Sequence, residues 1–197
     1  MLVTDWLFPS AHSKVRLGQL RTLHGGVPQD PSLVPRCQGS NAPLGCALGS
    51  GMLTCTRRLE WDAMHRIPRH ESKCAAFHGH RYAAEISCHA DALDDRGRVI
   101  DFGVVKEIVG GWIDQNWDHT AILMTGDPDP AIAVLAASNA AHGRPVYWMA
   151  VPPTAENIAA ELALRANQLL EASGVRVVRV RVWETPNGSA EWNALVR

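Results

Sequence analysis

Two runs of alternating hydrophobicity, "LTCTRRLEWDAMH" (53–65) and "HRYAAEISCHADAL" (80–93), constrain this chain more than any other feature. Period-2 alternation places every second side chain on one face of a strand, and two such runs in succession read as an antiparallel pair. Their connection, "RIPRHESKCAAF" (66–77), is long for a hairpin. Long loops between packed strands are where binding and catalytic residues concentrate. His78 and His80 open the second strand on the face that continues with Tyr82, Ala84, Ile86 and Cys88. Residues i and i+2 of a strand point the same way, about 6 to 7 Å apart, a separation suited to sharing a ligand.

Downstream, "DDRGR" makes a turn into "VIDFGVVKEIVGGWIDQNW", where Asp101 is placed as an N-cap and Phe102, Val105, Ile108, Val109, Trp112 and Ile113 form a helical stripe. "DPDPAIAVLAASNAAHG" predicts a short helix from after Pro130 to near Gly143, and "RPVYWMAVPP" a short apolar strand or extended link. Thr154 caps the strongest helix, with an apolar stripe of Ile158, Leu162, Leu169 and Leu170 and a stop at Gly174. "VRVVRVRVWETP" predicts a strand with Val178, Val180, Val182 and Glu184 on one face and Arg179, Arg181 and Trp183 on the other, and "SAEWNALV" a last short strand. Strands and helices in this order give an α+β domain with helices over one sheet face. Residues 1–50 carry five prolines and no sustained period, so they are expected to form a disordered or loosely docked extension to a domain at 51–197.

At 197 residues and 46% hydrophobic composition, one domain with a real core is the natural reading. A formal net charge of -1, with arginines interspersed among valines, supplies no basic field for nucleic acid. No window reaches the apolar length of a membrane span, and the N-terminus lacks the pattern of a secretory signal, so a cytoplasmic location is expected, with neither membrane nor nucleic acid as partner. Cys37, Cys46, Cys55, Cys74 and Cys88 are odd in number and sparse, which argues for free thiols and against a disulfide framework.

His65, at the end of the first strand, comes opposite His78 and His80 if the strands pair antiparallel. Three neutral imidazole nitrogens at about 2.0 to 2.1 Å with a fourth position open describe a catalytic zinc site. Cys74, in the loop four residues before His78, fits two roles, a fourth ligand or a general base standing over the open position. Asp118 and His119 in "WDHT" read either as a carboxylate tuning an imidazole proton relay or as a helix-end cap beside a surface histidine. Neighbouring residues point in different directions, so the two need not touch. Glu184 either turns to the buried face, where it needs donors such as a ring N–H beside an exocyclic amine, or is solvated at the strand end. His70, His89 and His142 are taken as non-functional.

The segments "WDAMHRI", "KCAAFHGHRY", "VIDFGVVK", "WDHT", "PPTAENIA" and "VWETP" stand in the order and spacing of the 6-pyruvoyltetrahydropterin and 6-carboxytetrahydropterin synthase family, which the chain resembles over about residues 53–192. The resemblance implies a tunnelling fold: a four-stranded antiparallel sheet with two main helices on its outer face, joining with other copies into a barrel. The implied assembly is a homo-hexamer of two trimers with active sites between subunits. It further implies zinc on His65, His78 and His80, Cys74 as base and not ligand, and Asp118 and His119 as proton-relay partners. Glu184 is implied as the anchor of the pterin ring, with Thr154 a supplementary contact. The spacing Cys74-x3-His78-Gly79-His80 resembles the carboxy branch, the pyruvoyl enzymes having a longer insert.

The implied reaction converts 7,8-dihydroneopterin triphosphate into 6-carboxy-5,6,7,8-tetrahydropterin with loss of acetaldehyde and triphosphate, on the way to 7-deazaguanine bases such as queuosine. The alternatives are the pyruvoyl-type reaction and a non-catalytic domain whose zinc is structural, with Cys74 as fourth ligand. Met124 and Thr125 depart from the family's frequent Leu-Asn, and Arg81 replaces a frequent Asn or Ser. Arg57, Arg58, Arg66, Arg69 and Lys73 are unranked candidates for the triphosphate.

Overall fold

Strand β1 (Cys55–His65) and strand β2 (His78–His89) pair antiparallel over their whole length, from Cys55 opposite Cys88 to His65 opposite His78. The computed structural model describes residues 51–195. The expected extension over residues 1–50 lies outside the described residues. Alternation sorts the two strands as expected: Leu59, Trp61, Ala63, Tyr82, Ala84 and Ile86 enter the core, while Arg58, Glu60 and Arg81 stay outside.

On the far side of β2 lies β5 (Arg176–Thr185), followed through a tight turn by β6 (Gly188–Asn193), both antiparallel to their neighbours. The pairing of β2 with β5 steps from Ser87–Arg179 to Cys88–Val177, a bulge that leaves Val178 over. Val177 is therefore buried where uninterrupted alternation assigns Val178 to the core.

The sheet has six strands in the order β4-β3-β1-β2-β5-β6, not four. The additions are β3 (Thr120–Met124), parallel to β1, and β4 (Tyr147–Met149), parallel to β3, so the sheet is mixed. "TAILM" is a continuous apolar run whose first four residues are all buried, and a strand covered on both faces shows no alternation to read.

One helical stretch runs from α1 (Phe102–Val105) through a π-helical segment (Lys106–Gly110) to α2 (Gly111–Asn116). Asp101 caps it, accepting a hydrogen bond from Gly103 N–H at 2.7 Å. The wider π turn breaks the 3.6 period, and Phe102 is exposed although Val105, Val109 and Ile113 are buried. Helix α3 (Ala131–Ala141) links β3 to β4, and α4 (Ala155–Leu170) begins at Thr154, whose hydroxyl accepts from Asn157 N–H at 3.4 Å. The buried face of α4 is Ile158, Ala159, Leu162, Ala163, Ala166 and Leu170, the alanines allowing close approach to the sheet and leaving Leu169 half-buried. Gly174, at φ 69°, ends the helical region in the left-handed conformation glycine tolerates. Burying a Leu or Ile side chain contributes about 1.5–3 kcal/mol, so α4 is a principal source of stability.

Beneath the end of the hairpin, Trp61 stacks on Tyr82 with centroids 5.3 Å apart and meets Trp117 at 5.4 Å. Tyr82 in turn touches the rings of His65 and His80 edge-on, at 5.8 and 5.6 Å. This aromatic floor fixes where the histidine rings can lie. Among the described residues, no helix is long and apolar enough to cross a membrane.

Candidate metal centre and the cavity around it

Antiparallel register brings the three predicted histidines together. His65 faces His78 across the pair and Ala63 faces His80, so all three rings project from the core face at one end of the hairpin. Gly79 lets this end close up: a Cβ there would stand 3.1 Å from the Ala63 carbonyl oxygen. One nitrogen from each ring lies within 4.8 Å of the others.

The hydrogen bonds of the rings decide what those nitrogens offer. His65 Nδ1 lies 2.8 Å from the Pro153 carbonyl oxygen and His78 Nδ1 lies 2.9 Å from that of Ala76. A carbonyl only accepts, so in the neutral rings both Nδ1 atoms carry the hydrogen and both Nε2 atoms carry lone pairs. Those two Nε2 atoms face each other at 3.0 Å, and His80 Nε2 is buried with no hydrogen-bond partner among the described residues. Lone pairs converging in a buried place repel unless a cation sits between them. The backbone carbonyls behind the rings are the outer support that metal-binding histidines ordinarily have. Burial pushes His65 down to about 4, against the pull of the Pro153 hydrogen bond, with His78 and His80 adding to the depression; it is thus held as a neutral ligand. The donor set fits a divalent, nitrogen-preferring ion such as zinc.

Glu184, carried past the core valines of β5, brings Oε1 to 3.3 Å from His65 Nε2 and 4.0 Å from His80 Nε2. Of the two readings of this residue, the inward one holds. Cys74 sits in a single 3-10 turn (Lys73–Ala75) and lines, with His65, Thr154 and Glu184, a cavity of about 350 Å³. Four of the eight predicted site residues thus share one cavity, with His78 and His80 at its histidine cluster. The same cavity is lined by His70 and Glu156. Sequence reading set His70 aside and passed over Glu156; the latter's place two residues after the Thr154 cap was the signal available. His70 is fixed by the Ser72 N–H, which donates to its Nδ1 at 3.0 Å, so its other nitrogen is the one bearing hydrogen in the neutral ring.

Asp118 and His119 do not line the Cys74 cavity. They do touch, against the expectation that neighbours diverge: His119 Nδ1 is 2.7 Å from Asp118 Oδ2. His119 adopts φ 56°, a left-handed conformation that folds its ring back onto the preceding residue. The second oxygen of Asp118 accepts from Asp62 N–H at 3.0 Å. Burial works to raise the Asp118 carboxyl, but the Asp62 and His119 hydrogen bonds, with the charges of His119 and Arg144, hold it below the usual carboxylate range. His119 lines a different cleft, of about 490 Å³, with Asp62, Met64, Gly79 and Arg81, which alternation places on the sheet face opposite α4, together with Asn139 of α3 and His80 of the histidine cluster. Within one chain, His119 and Cys74 line separate cavities.

The fold and this centre define a class: an α+β domain with a three-histidine cluster able to hold a cation at the end of its central hairpin. A family model described as 6-pyruvoyl tetrahydropterin synthase matches residues 54–194. A 6-carboxy-5,6,7,8-tetrahydropterin synthase of Rickettsia bellii is 42% identical over 137 residues, covering 69% of this chain and 96% of the relative. Among solved structures, an uncharacterized protein of Wolinella succinogenes superposes with a TM-score of 0.62 at 20% identity, over 73% of this chain and 99% of that one. A Caenorhabditis elegans 6-pyruvoyl tetrahydropterin synthase does so at 0.52 and 19% identity, over 74% and 97%. Both show the same fold. The chain belongs to the 6-pyruvoyl tetrahydropterin synthase family, a family of lyase-type enzymes.

Proposed function

We propose that the protein is a zinc-dependent 6-carboxytetrahydropterin synthase of the cytoplasm, carried by residues 51–197. It takes 7,8-dihydroneopterin triphosphate and water to 6-carboxy-5,6,7,8-tetrahydropterin, acetaldehyde and triphosphate, on the route to queuosine. The observation that carries this reading is the facing of His65 and His78 Nε2 lone pairs at 3.0 Å beside a cavity that also holds a thiol and a carboxylate. The carboxy branch is supported by the similarity to the Rickettsia bellii protein and by the Cys74-x3-His78 spacing.

His65, His78 and His80 would hold the ion, and zinc bound there would supply Lewis acidity toward the hydroxyls of the substrate side chain, which would make the adjacent C–H easier to ionise. Cys74 lines the cavity beside the histidines and takes or returns that proton as a general base and acid. Glu184 accepts from the ring N–H and exocyclic amine of the pterin, with Glu156 lining the same cavity and Thr154 a supporting contact at the helix start. Asp118 holds His119 in one tautomer, and His119 serves as the second proton carrier.

Since His119 and Cys74 line different cavities, we assign the relay pair of each site to a neighbouring copy in a homo-oligomer, a hexamer of two trimers. Incubating the purified, zinc-loaded protein with dihydroneopterin triphosphate tests the function. Mass spectrometry should find the 6-carboxy product with stoichiometric acetaldehyde, and prior chelation should abolish both. A pyruvoyl product, or no acetaldehyde from metal-replete protein, contradicts it.

A further inference from the structure

Arg66, next in sequence to the metal-site residue His65, is a buried cation with only 8% of its surface exposed. Its Nε–H donates to the Ala75 carbonyl oxygen at 2.9 Å, and its Nη1 donates to Asp127 Oδ1 at 3.0 Å and Asp129 Oδ2 at 2.7 Å. The guanidinium lies over the Phe77 ring, 5.5 Å from its centroid. Alongside, Ile67 N–H donates to the Cys74 carbonyl oxygen at 2.8 Å. Arg66 therefore ties together the end of β1, the turn bearing Cys74, the residue before His78, and the loop between β3 and α3.

The partner loop is built to meet it. The Asp127 side chain is fully buried, and its Oδ1 also accepts from Asp129 N–H at 3.0 Å. Asp129 Oδ1 accepts from Ala131 N–H at 2.9 Å at the start of α3, so the carboxylates that hold Arg66 also fold their own turn. Asp127 Oδ2 is buried without a partner among the described residues. A buried ion pair is a poor source of stability compared with an apolar filling of the same volume, whereas a planar fork with several fixed donors is a good way to set direction and distance. Arg66 is thereby spent on carboxylates and is removed from the candidates for holding triphosphate.

We propose that Arg66, Asp127 and Asp129 form an internal strut that sets the position of Cys74 relative to the three histidines. They are positioning residues for the reaction proposed above, on which the inference rests. Nothing in the strut needs to touch substrate. Its effect is on where the Cys74 thiol stands, and a displacement of about 1 Å at a reacting group costs on the order of 100-fold in rate.

The test is site-resolved alkylation by iodoacetamide, read by peptide mass spectrometry on full-length, zinc-loaded protein, beside steady-state kinetics. In Asp127→Asn, Cys74 should alkylate at least about threefold faster while the buried Cys55 and Cys88 stay protected. In the same variant kcat should fall at least about tenfold with KM within about twofold. Arg66→Lys, which keeps the charge but loses the Nε branch, should behave alike. An unchanged Cys74 rate and kcat in either variant overturns the proposal, as does a rise in Cys55 and Cys88 reactivity parallel to that of Cys74, which marks general loosening. Should Asp127→Asn fail to fold, Asp129→Asn, whose carboxylate is one-third exposed, should raise Cys74 alkylation by about twofold, and no change there also overturns it. Alkylation does not require turnover, so an inactive wild-type protein would defeat the enzymatic reading while leaving the strut measurable.

Discussion

Asp118 and His119, adjacent in sequence, are joined side chain to side chain, His119 Nδ1–H donating to Asp118 Oδ2 at 2.7 Å while Asp62 N–H donates to Asp118 Oδ1 at 3.0 Å. Both carboxylate oxygens are thus used as acceptors. Asn at this position has one acceptor for two donors, and its amide must face either Asp62 N–H or the ring. In Asp118→Asn, turnover should fall by about 10²–10⁴-fold, the range of a general acid–base contribution, with metal content unchanged. The depressed carboxyl also carries a pH signature. Its stabilisation is complete above the ordinary carboxylate range and is lost as pH falls through the lower folded value. Acid titration of stability should show this loss in wild type and its absence in Asp118→Asn; turnover at the wild-type level contradicts the relay.

Stripping the metal should leave a folded but weaker protein. The Nε2 atoms of His65 and His78 then face each other uncompensated. A ligand at 100 times its dissociation constant stabilises by about 2.7 kcal/mol, equivalent to about 5–10 °C in Tm for a domain of this size. Zinc titration of chelated protein, followed by calorimetry, should recover that shift, and His78→Ala should abolish it. No shift on adding zinc removes the metal site.

Cys74→Ala should keep the metal and lose most turnover, by about 10²-fold or more. Mixing it with His119→Ala separates intra-chain from inter-chain assembly. If the two groups of one site come from different copies, co-refolded mixtures of the two inactive variants regain about a quarter of wild-type activity, by random pairing of neighbours. Activity that stays at the level of the variants places both groups in one chain.

Much of this was legible in the chain itself. Alternation over Cys55–His65 and His78–His89 is enough to set the register that brings His65, His78 and His80 together, because a hairpin has few ways to pair without burying its charged face. Caps at Asp101 and Thr154 were readable for the same local reason. What escaped were features without a period: β3, buried on both faces; the bulge at Val178; and the π turn that interrupts the helix after Val105. The contact of Asp118 with His119 depends on a left-handed backbone that "WDHT" does not announce, since it contains no glycine. His70 and Glu156 became visible only when the loop and the start of α4 were seen to line one cavity.

Glu184→Ala should raise KM for the triphosphate substrate by about 10-fold or more, the cost of leaving the pterin donors unpaired, while metal content is unchanged. Because Glu184 Oε1 lies 3.3 Å from His65 Nε2, metal analysis of this variant carries weight. A metal-free Glu184→Ala protein makes the residue a ligand and not an anchor. Glu156→Gln, in the same cavity, should raise KM as well, without altering metal content.

X-ray absorption at the zinc edge on the loaded, substrate-free protein tests the central claim most directly. Three imidazole nitrogens and one further light atom at about 2.0–2.1 Å, with no sulfur, are the predicted shell, leaving the Cys74 thiol free. A sulfur scatterer at about 2.3 Å would make Cys74 a fourth ligand, close the site, and contradict the account.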